Sequence, residues 1–111
     1  MQKLLTKELR KKLPPLYSQD GKKADTIVYG HWFSCINGWD LYATEYDEET
    51  GDIFGFVFGA VPEMGYFNLA ELEEINRKYG MNFFERETYF TPKRAIEIPR
   101  IAEAFGYLWE K

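Results

Sequence analysis

Trp39-Asp40-Leu41-Tyr42-Ala43-Thr44-Glu45-Tyr46, then Asp47-Glu48-Glu49-Thr50-Gly51, then Asp52-Ile53-Phe54-Gly55-Phe56-Val57-Phe58-Gly59-Ala60 is the stretch that decides the fold. Two runs rich in β-branched and aromatic residues flank a turn, Glu49-Thr50-Gly51-Asp52. A connection this short cannot cross over to a parallel neighbour, so the runs pair antiparallel. Within the second run Phe54, Phe56 and Phe58 alternate with Gly55, Val57 and Gly59. One face is therefore bulky, and the other lets another part of the same fold approach closely.

Upstream, Thr26 to Phe33 reads as a further strand, joined through the turn residues Asn37-Gly38. Thr6 is an N-cap for a short helix with Glu8 in its first turn and Leu9 and Leu13 on one face, and Pro14-Pro15 ends it. Leu16 and Tyr17 are expected to plug the core. Downstream, Asn68 and Glu71 open a helix that carries Leu69, Leu72 and Ile75 on one face, and Gly80 stops it. Asn82 to Phe90 reads as a fourth strand. Thr91-Pro92 is expected to start a helical turn, which Pro99 either limits or replaces with a second piece running to Phe105. The predicted class is α+β: an antiparallel sheet of about four strands, with short helices at the N-terminus, after the third strand and at the C-terminus, on one face of the sheet and at its ends. A chain of 111 residues suits one domain and one core.

The formal charge of −4 conceals a segregation. Residues 1–24 carry seven basic and two acidic side chains, residues 25–74 carry eleven acidic and no basic ones, and residues 75–111 carry seven basic and five acidic. The strand and turn pattern divides the acidic block. Asp40, Glu45, Asp47, Glu48, Glu49 and Asp52 form one candidate partner-binding group, and Glu71, Glu73 and Glu74 a second acidic face. An acidic face matches a basic partner, such as the nucleic-acid groove of an enzyme, and would compete there with DNA or RNA and associate quickly through steering.

Catalytic chemistry finds few residues. His31 is the only histidine and Cys35 the only cysteine, so no intrachain disulfide exists and zinc's four-ligand sets are out of reach. His31 shares strand parity with Ile27, Tyr29 and Phe33 and is read as a sheet residue with a satisfied ring nitrogen. The run from Asp47 to Asp52 lacks the spacing of a calcium loop and reads as a charged hairpin turn. No phosphate-cradling glycine motif is present. A non-enzymatic protein without cofactor is expected. Its N-terminus lacks an apolar signal segment and no run approaches the ~18 apolar residues of a membrane span, which predicts a cytoplasmic protein without membrane contact, a monomer being the simpler state. Lys3, Lys7, Arg10, Lys11 and Lys12 give a basic helix suited to phosphates, the basis of an alternative as a nucleic-acid-binding accessory protein.

Leu5-Thr6-Lys7-Glu8-Leu9-Arg10, Leu13-Pro14-Pro15-Leu16-Tyr17, Gly38-Trp39 with Tyr42-Ala43-Thr44-Glu45, Phe54-Gly55, and Gly65-Tyr66-Phe67 with Glu71-Leu72-Glu73 together resemble a family of small bacterial proteins. It is a domain-of-unknown-function family often carried on plasmids, phages and other mobile DNA. The resemblance spans roughly residues 4 to 92, and the chain beyond Pro92 looks longer than the family's usual end. Some small proteins similar to this one are counted among inhibitors of type II CRISPR effector nucleases. The resemblance thus implies an anti-CRISPR role: direct binding to such a nuclease, with or without guide RNA, in a bacterial host cell. The alternative it leaves is an accessory role in plasmid or phage maintenance.

Overall fold

The computed structural model describes residues 2–109. Its central feature is a five-stranded antiparallel sheet. Gly30–Phe33 (β2), Asp40–Tyr46 (β3), Asp52–Phe58 (β4) and Pro62–Asn68 (β5) are consecutive neighbours, and Glu85–Arg86 (β6) flanks β2 on the far side. A second, two-stranded sheet pairs Ile27–Val28 (β1) with Lys93–Arg94 (β7). The helices are Lys7–Lys12 (α1), Leu69–Tyr79 (α2) and Pro99–Phe105 (α3). None of the described helices is long and apolar enough to cross a membrane.

The antiparallel β3–β4 hairpin is as the sequence predicts, with one irregularity. The register passes from Ala43 opposite Gly55 to Glu45 opposite Phe54, so Thr44 is the extra residue of a β-bulge. Its hydroxyl donates to the Phe54 carbonyl at 2.8 Å. The close approach expected beside the glycines is here: a Cβ on Gly55 would lie 1.7 Å from the Tyr42 carbonyl oxygen.

Both faces of the sheet are covered. On one, Leu41, Ala43 and Ile53 join Leu4, Leu13, Trp32, Leu69 and Phe84, with Leu9 of α1 and Leu72 and Ile75 of α2 packed against them. On the other, Tyr42, Phe56 and Phe58 meet Val28, Ala95, Ile98, Ile101 and Phe105. Helices on one face and at the ends were expected; instead α1 and α2 cover one face and α3 the other. Full burial of an aliphatic or aromatic side chain such as Ile101 or Phe56 stabilises by roughly 1.5–3 kcal/mol. The C-terminal segment thus supplies half of the buried residues on that second face.

The caps of α1 and α2 match their residues. The Thr6 hydroxyl accepts the Leu9 N–H at 3.2 Å, the Asn68 side chain accepts from Ala70 and Glu71, and Gly80 closes α2 at φ 65°. Four expectations are corrected. β5 was not anticipated, because Pro62, Gly65 and Asn68 dilute its strand pattern. The fourth strand shrinks from Asn82–Phe90 to Glu85–Arg86: the Asn76 side chain takes both the N–H and C=O of Phe84 just before it, while Gln2 bonds both of Arg86 within it. Lys93–Arg94 after Thr91-Pro92 form β7 and the helical turn comes only at Ala95–Glu97, whereas the second piece beginning at Pro99 and running to Phe105 is as expected and is α3. Tyr17 does not plug the core; it stands 68% exposed at φ 71°, and Leu13 is buried instead.

Candidate functional site

The β3–β4 turn orders itself. Asp47 N–H donates to the Asp52 carbonyl at 2.9 Å, Gly51 N–H to the Asp47 carbonyl at 2.8 Å with φ 81°, and the Asp47 carboxylate accepts the Glu49 N–H at 2.9 Å. Asp52 accepts from the Asn68 side chain at 3.2 Å, which ties the turn to the start of α2. Glu48 and Glu49 are left exposed. Together with Asp47 they rim a groove of about 630 Å³ floored by Leu13, Pro15, Leu16 and Tyr46.

The other predicted partner-binding residues do not join this turn. Glu45 is only 4% exposed, and its carboxylate accepts the backbone N–H groups of Tyr17 at 2.9 Å and Gln19 at 2.8 Å. It anchors the loop after α1 and offers nothing to a partner. Asp40 lies at the opposite end of β3, about 20 Å from the turn at the usual strand rise. One of its oxygens meets His31 Nε2 at 2.6 Å and the other bonds Arg100 of α3. The second acidic face is also partly spent. Glu73 accepts the Leu4 N–H at 3.0 Å and Glu74 pairs with Arg77, while Glu71 stays exposed.

His31 sits between two carboxylates, with Nδ1 2.6 Å from Glu87 and Nε2 2.6 Å from Asp40, and its ring stacks on Tyr42 at 4.4 Å. A carboxylate only accepts, so both contacts are hydrogen bonds when both ring nitrogens carry hydrogen. Neither nitrogen is left to activate Cys35, which is exposed in the turn after β2. Burial first, then the charge of Asp40 and, more weakly, of Glu87, pushes the Tyr42 hydroxyl up to about 12 against an opposing effect of Arg100. The Arg100 guanidinium lies over the Phe58 ring at 4.6 Å. This network joins β2, β3, the segment after β6 and α3, and its Glu87 and Arg100 were not singled out in the sequence because they lie 56 and 60 residues from their partners.

Lys3, ahead of α1, and two basic residues of α1 border a different cleft. Lys3, Lys7 and Arg10, with Thr6, Thr50 and Asn68, line about 350 Å³, and Glu73 lies in the same wall. Among the described residues none of these three cations forms an ion pair. Tyr46 lines this cleft and the acid-rimmed groove alike, so it marks a charge boundary.

Two of the strings that carry the family resemblance touch one another: the Tyr17 N–H of Leu13-Pro14-Pro15-Leu16-Tyr17 donates to the Glu45 carboxylate of Tyr42-Ala43-Thr44-Glu45 at 2.9 Å, and the adjoining Tyr46 N–H donates to the Pro14 carbonyl at 2.9 Å. One protein family, described as "Protein of unknown function (DUF2958)", matches the chain over residues 4–107. The chain belongs to that family. The DUF2958 match does not end near Pro92 as expected from the sequence but takes in α3, consistent with the core residues Ala95, Ile98, Ile101 and Phe105 being part of the domain's packing. No curated protein and no solved structure matches the chain.

Proposed function

We propose that this DUF2958 chain is a protein-binding inhibitor that sets its acidic turn against a basic nucleic-acid groove, the target class being a type II CRISPR effector nuclease. The observation that carries the reading is the groove rimmed by Asp47, Glu48 and Glu49 over an apolar floor of Leu13, Pro15, Leu16 and Tyr46. Exposed carboxylates steer a basic partner, and Pro15 and Leu16, the part of the floor not already buried, supply apolar area to desolvate once it arrives. The nuclease as partner and the mobile-element setting rest on the sequence resemblance alone, and the cytoplasmic location on the N-terminal sequence and the lack of a membrane-length apolar run.

The test mixes purified protein with type II nucleases, with and without guide RNA. Target cleavage is abolished and a complex co-elutes. Undiminished cleavage at large molar excess across several orthologues overturns the reading. Glu48→Lys with Glu49→Lys spares the turn, since both side chains are exposed, and lowers the association rate on the order of tenfold at low salt. An unchanged rate moves the interface elsewhere.

A second reading, binding to nucleic acid, is favoured by the unpaired Lys3, Lys7 and Arg10 around one cleft. It predicts duplex or single-strand binding that falls steeply with salt and is lost in Lys7→Glu with Arg10→Glu. The neighbouring acidic rim opposes a polyanion, which places this reading second.

A further inference from the structure

The two edges of the five-stranded sheet are unlike. β6 is two residues long, whereas β5 runs seven residues and pairs with β4 at every position without a bulge. β5 carries no lysine or arginine, and Glu63 is its only charge. Its outer side makes no backbone hydrogen bond among the described residues. Long edges are normally blunted by lysine, a bulge or a covering element, because unpaired N–H and C=O groups template a further strand. Pro62 withholds one donor at the strand's first position only. On the α3 face, Met64 and Tyr66 are 45% and 53% exposed.

Gly65 adds an independent observation. Its cross-strand neighbour Gly55 is required by the Tyr42 carbonyl, but nothing among the described residues requires Gly65: its φ is not positive, and an added Cβ would meet only the Glu63 carboxylate at 3.7 Å. A strand-interior glycine is destabilising relative to alanine and often marks the close approach of another backbone.

We propose that β5 pairs antiparallel with β5 of a second copy about a two-fold axis at Gly65, joining the two sheets into one. Facing residues must point to the same side of the joined sheet, so the axis falls on a residue, and only Gly65 lets all seven positions pair. Pro62 then faces Asn68, Glu63 faces Phe67, Met64 faces Tyr66 and Gly65 faces its own copy. The two Glu63 side chains stand four residues apart along the strand, about 13 Å, beyond a physiological Debye length. An axis at Glu63 would set them face to face. The self-pairing therefore meets no like charge and places a methionine sulfur against an aromatic ring on each side of the axis. One strand edge with its flanking side chains buries less than the standard ~1,600 Å², so the dimer is reversible, with a Kd on the order of micromolar.

Sedimentation equilibrium over a concentration series reads the association, and crosslinking reads the register. In a Cys35→Ser background, Gly65→Cys puts two thiols at the axis, where antiparallel Cα atoms are about 4.5–5.5 Å apart, within disulfide range. It forms a covalent dimer under mild oxidation, and Glu63→Cys does not. Met64→Lys with Tyr66→Lys opposes like charges twice and weakens the dimer about tenfold. Mixing that variant with Met64→Glu, Tyr66→Glu restores association, and circular dichroism confirms that both variants are folded. A wild-type chain monomeric up to millimolar concentration overturns the proposal and leaves the edge to a foreign strand. A dimer that Glu63→Cys crosslinks as readily as Gly65→Cys, or that the lysine pair leaves unchanged, also overturns it.

Discussion

Glu45 holds Gln19 from two sides of the bulge: its carboxylate accepts the Gln19 backbone N–H at 2.8 Å, and the Gln19 side chain donates to the carbonyl of adjacent Thr44 at 2.8 Å. Gln19 also exchanges two bonds with the backbone of Ile27, at 2.7 and 2.9 Å. The loop between α1 and β1 is therefore fastened to the sheet by side chains in place of a strand ladder. Glu45→Ala leaves the buried Gln19 N–H without its acceptor and destabilises the fold by about 2–3 kcal/mol. Urea unfolding measures this, and association with the proposed nuclease partner is expected to stay unchanged in the folded variant because Glu45 is only 4% exposed.

Gly55 and Gly65 face each other across β4 and β5 yet differ in what surrounds them. Gly55→Ala drives a methyl into the Tyr42 carbonyl and costs about 3 kcal/mol or more. Gly65→Ala meets ordinary contacts and stabilises the isolated chain by about 0.5 kcal/mol. Thermal unfolding at low protein concentration, where monomer prevails, separates the two.

Tyr42 links the sheet to alkaline stability. Its hydroxyl is raised from 10.0 to about 12, so between those values the folded chain keeps a proton that the unfolded chain has lost. The stabilisation is present below pH 10 and is lost as pH rises through about 12. Ultraviolet titration shows Tyr42 ionising late, alongside Tyr66, whose hydroxyl is raised first by its bond to the Tyr17 side chain, and Tyr42→Phe removes the step near 12.

Asn76 is 1% exposed in α2 and satisfies both backbone groups of Phe84, at 2.9 and 3.0 Å. Asn76→Ala orphans a buried N–H and C=O and costs about 2–3 kcal/mol by denaturant titration. Hydrogen exchange of the Phe84 amide accelerates in the same variant more than exchange in β3.

Local chemistry made much of the fold legible. The N-caps at Thr6 and Asn68, the stop at Gly80, the strands β2 to β4 and the antiparallel hairpin follow from neighbours within a few residues. β5 was hidden because its proline and glycine weaken strand periodicity while the ladder to β4 compensates. The candidate site was half legible. Composition pointed to the turn from Asp47 to Asp52 but counted Asp40 and Glu45 with it, although a carboxylate's charge says nothing about whether a distant N–H or guanidinium has claimed it.

By itself, the sequence determined the caps of α1 and α2, the β3–β4 hairpin, the acidic and basic segregation and the family resemblance, because caps, turns, alternation and charge are properties of short segments. Only the tertiary structure decided which carboxylates remain available. Glu48 and Glu49 face solvent, while Asp40 is bound to His31 and Arg100 and Glu45 to the loop at Tyr17 and Gln19. Those partners lie 9, 60, 28 and 26 residues away, distances over which only packing of the whole sheet brings them within hydrogen-bond reach.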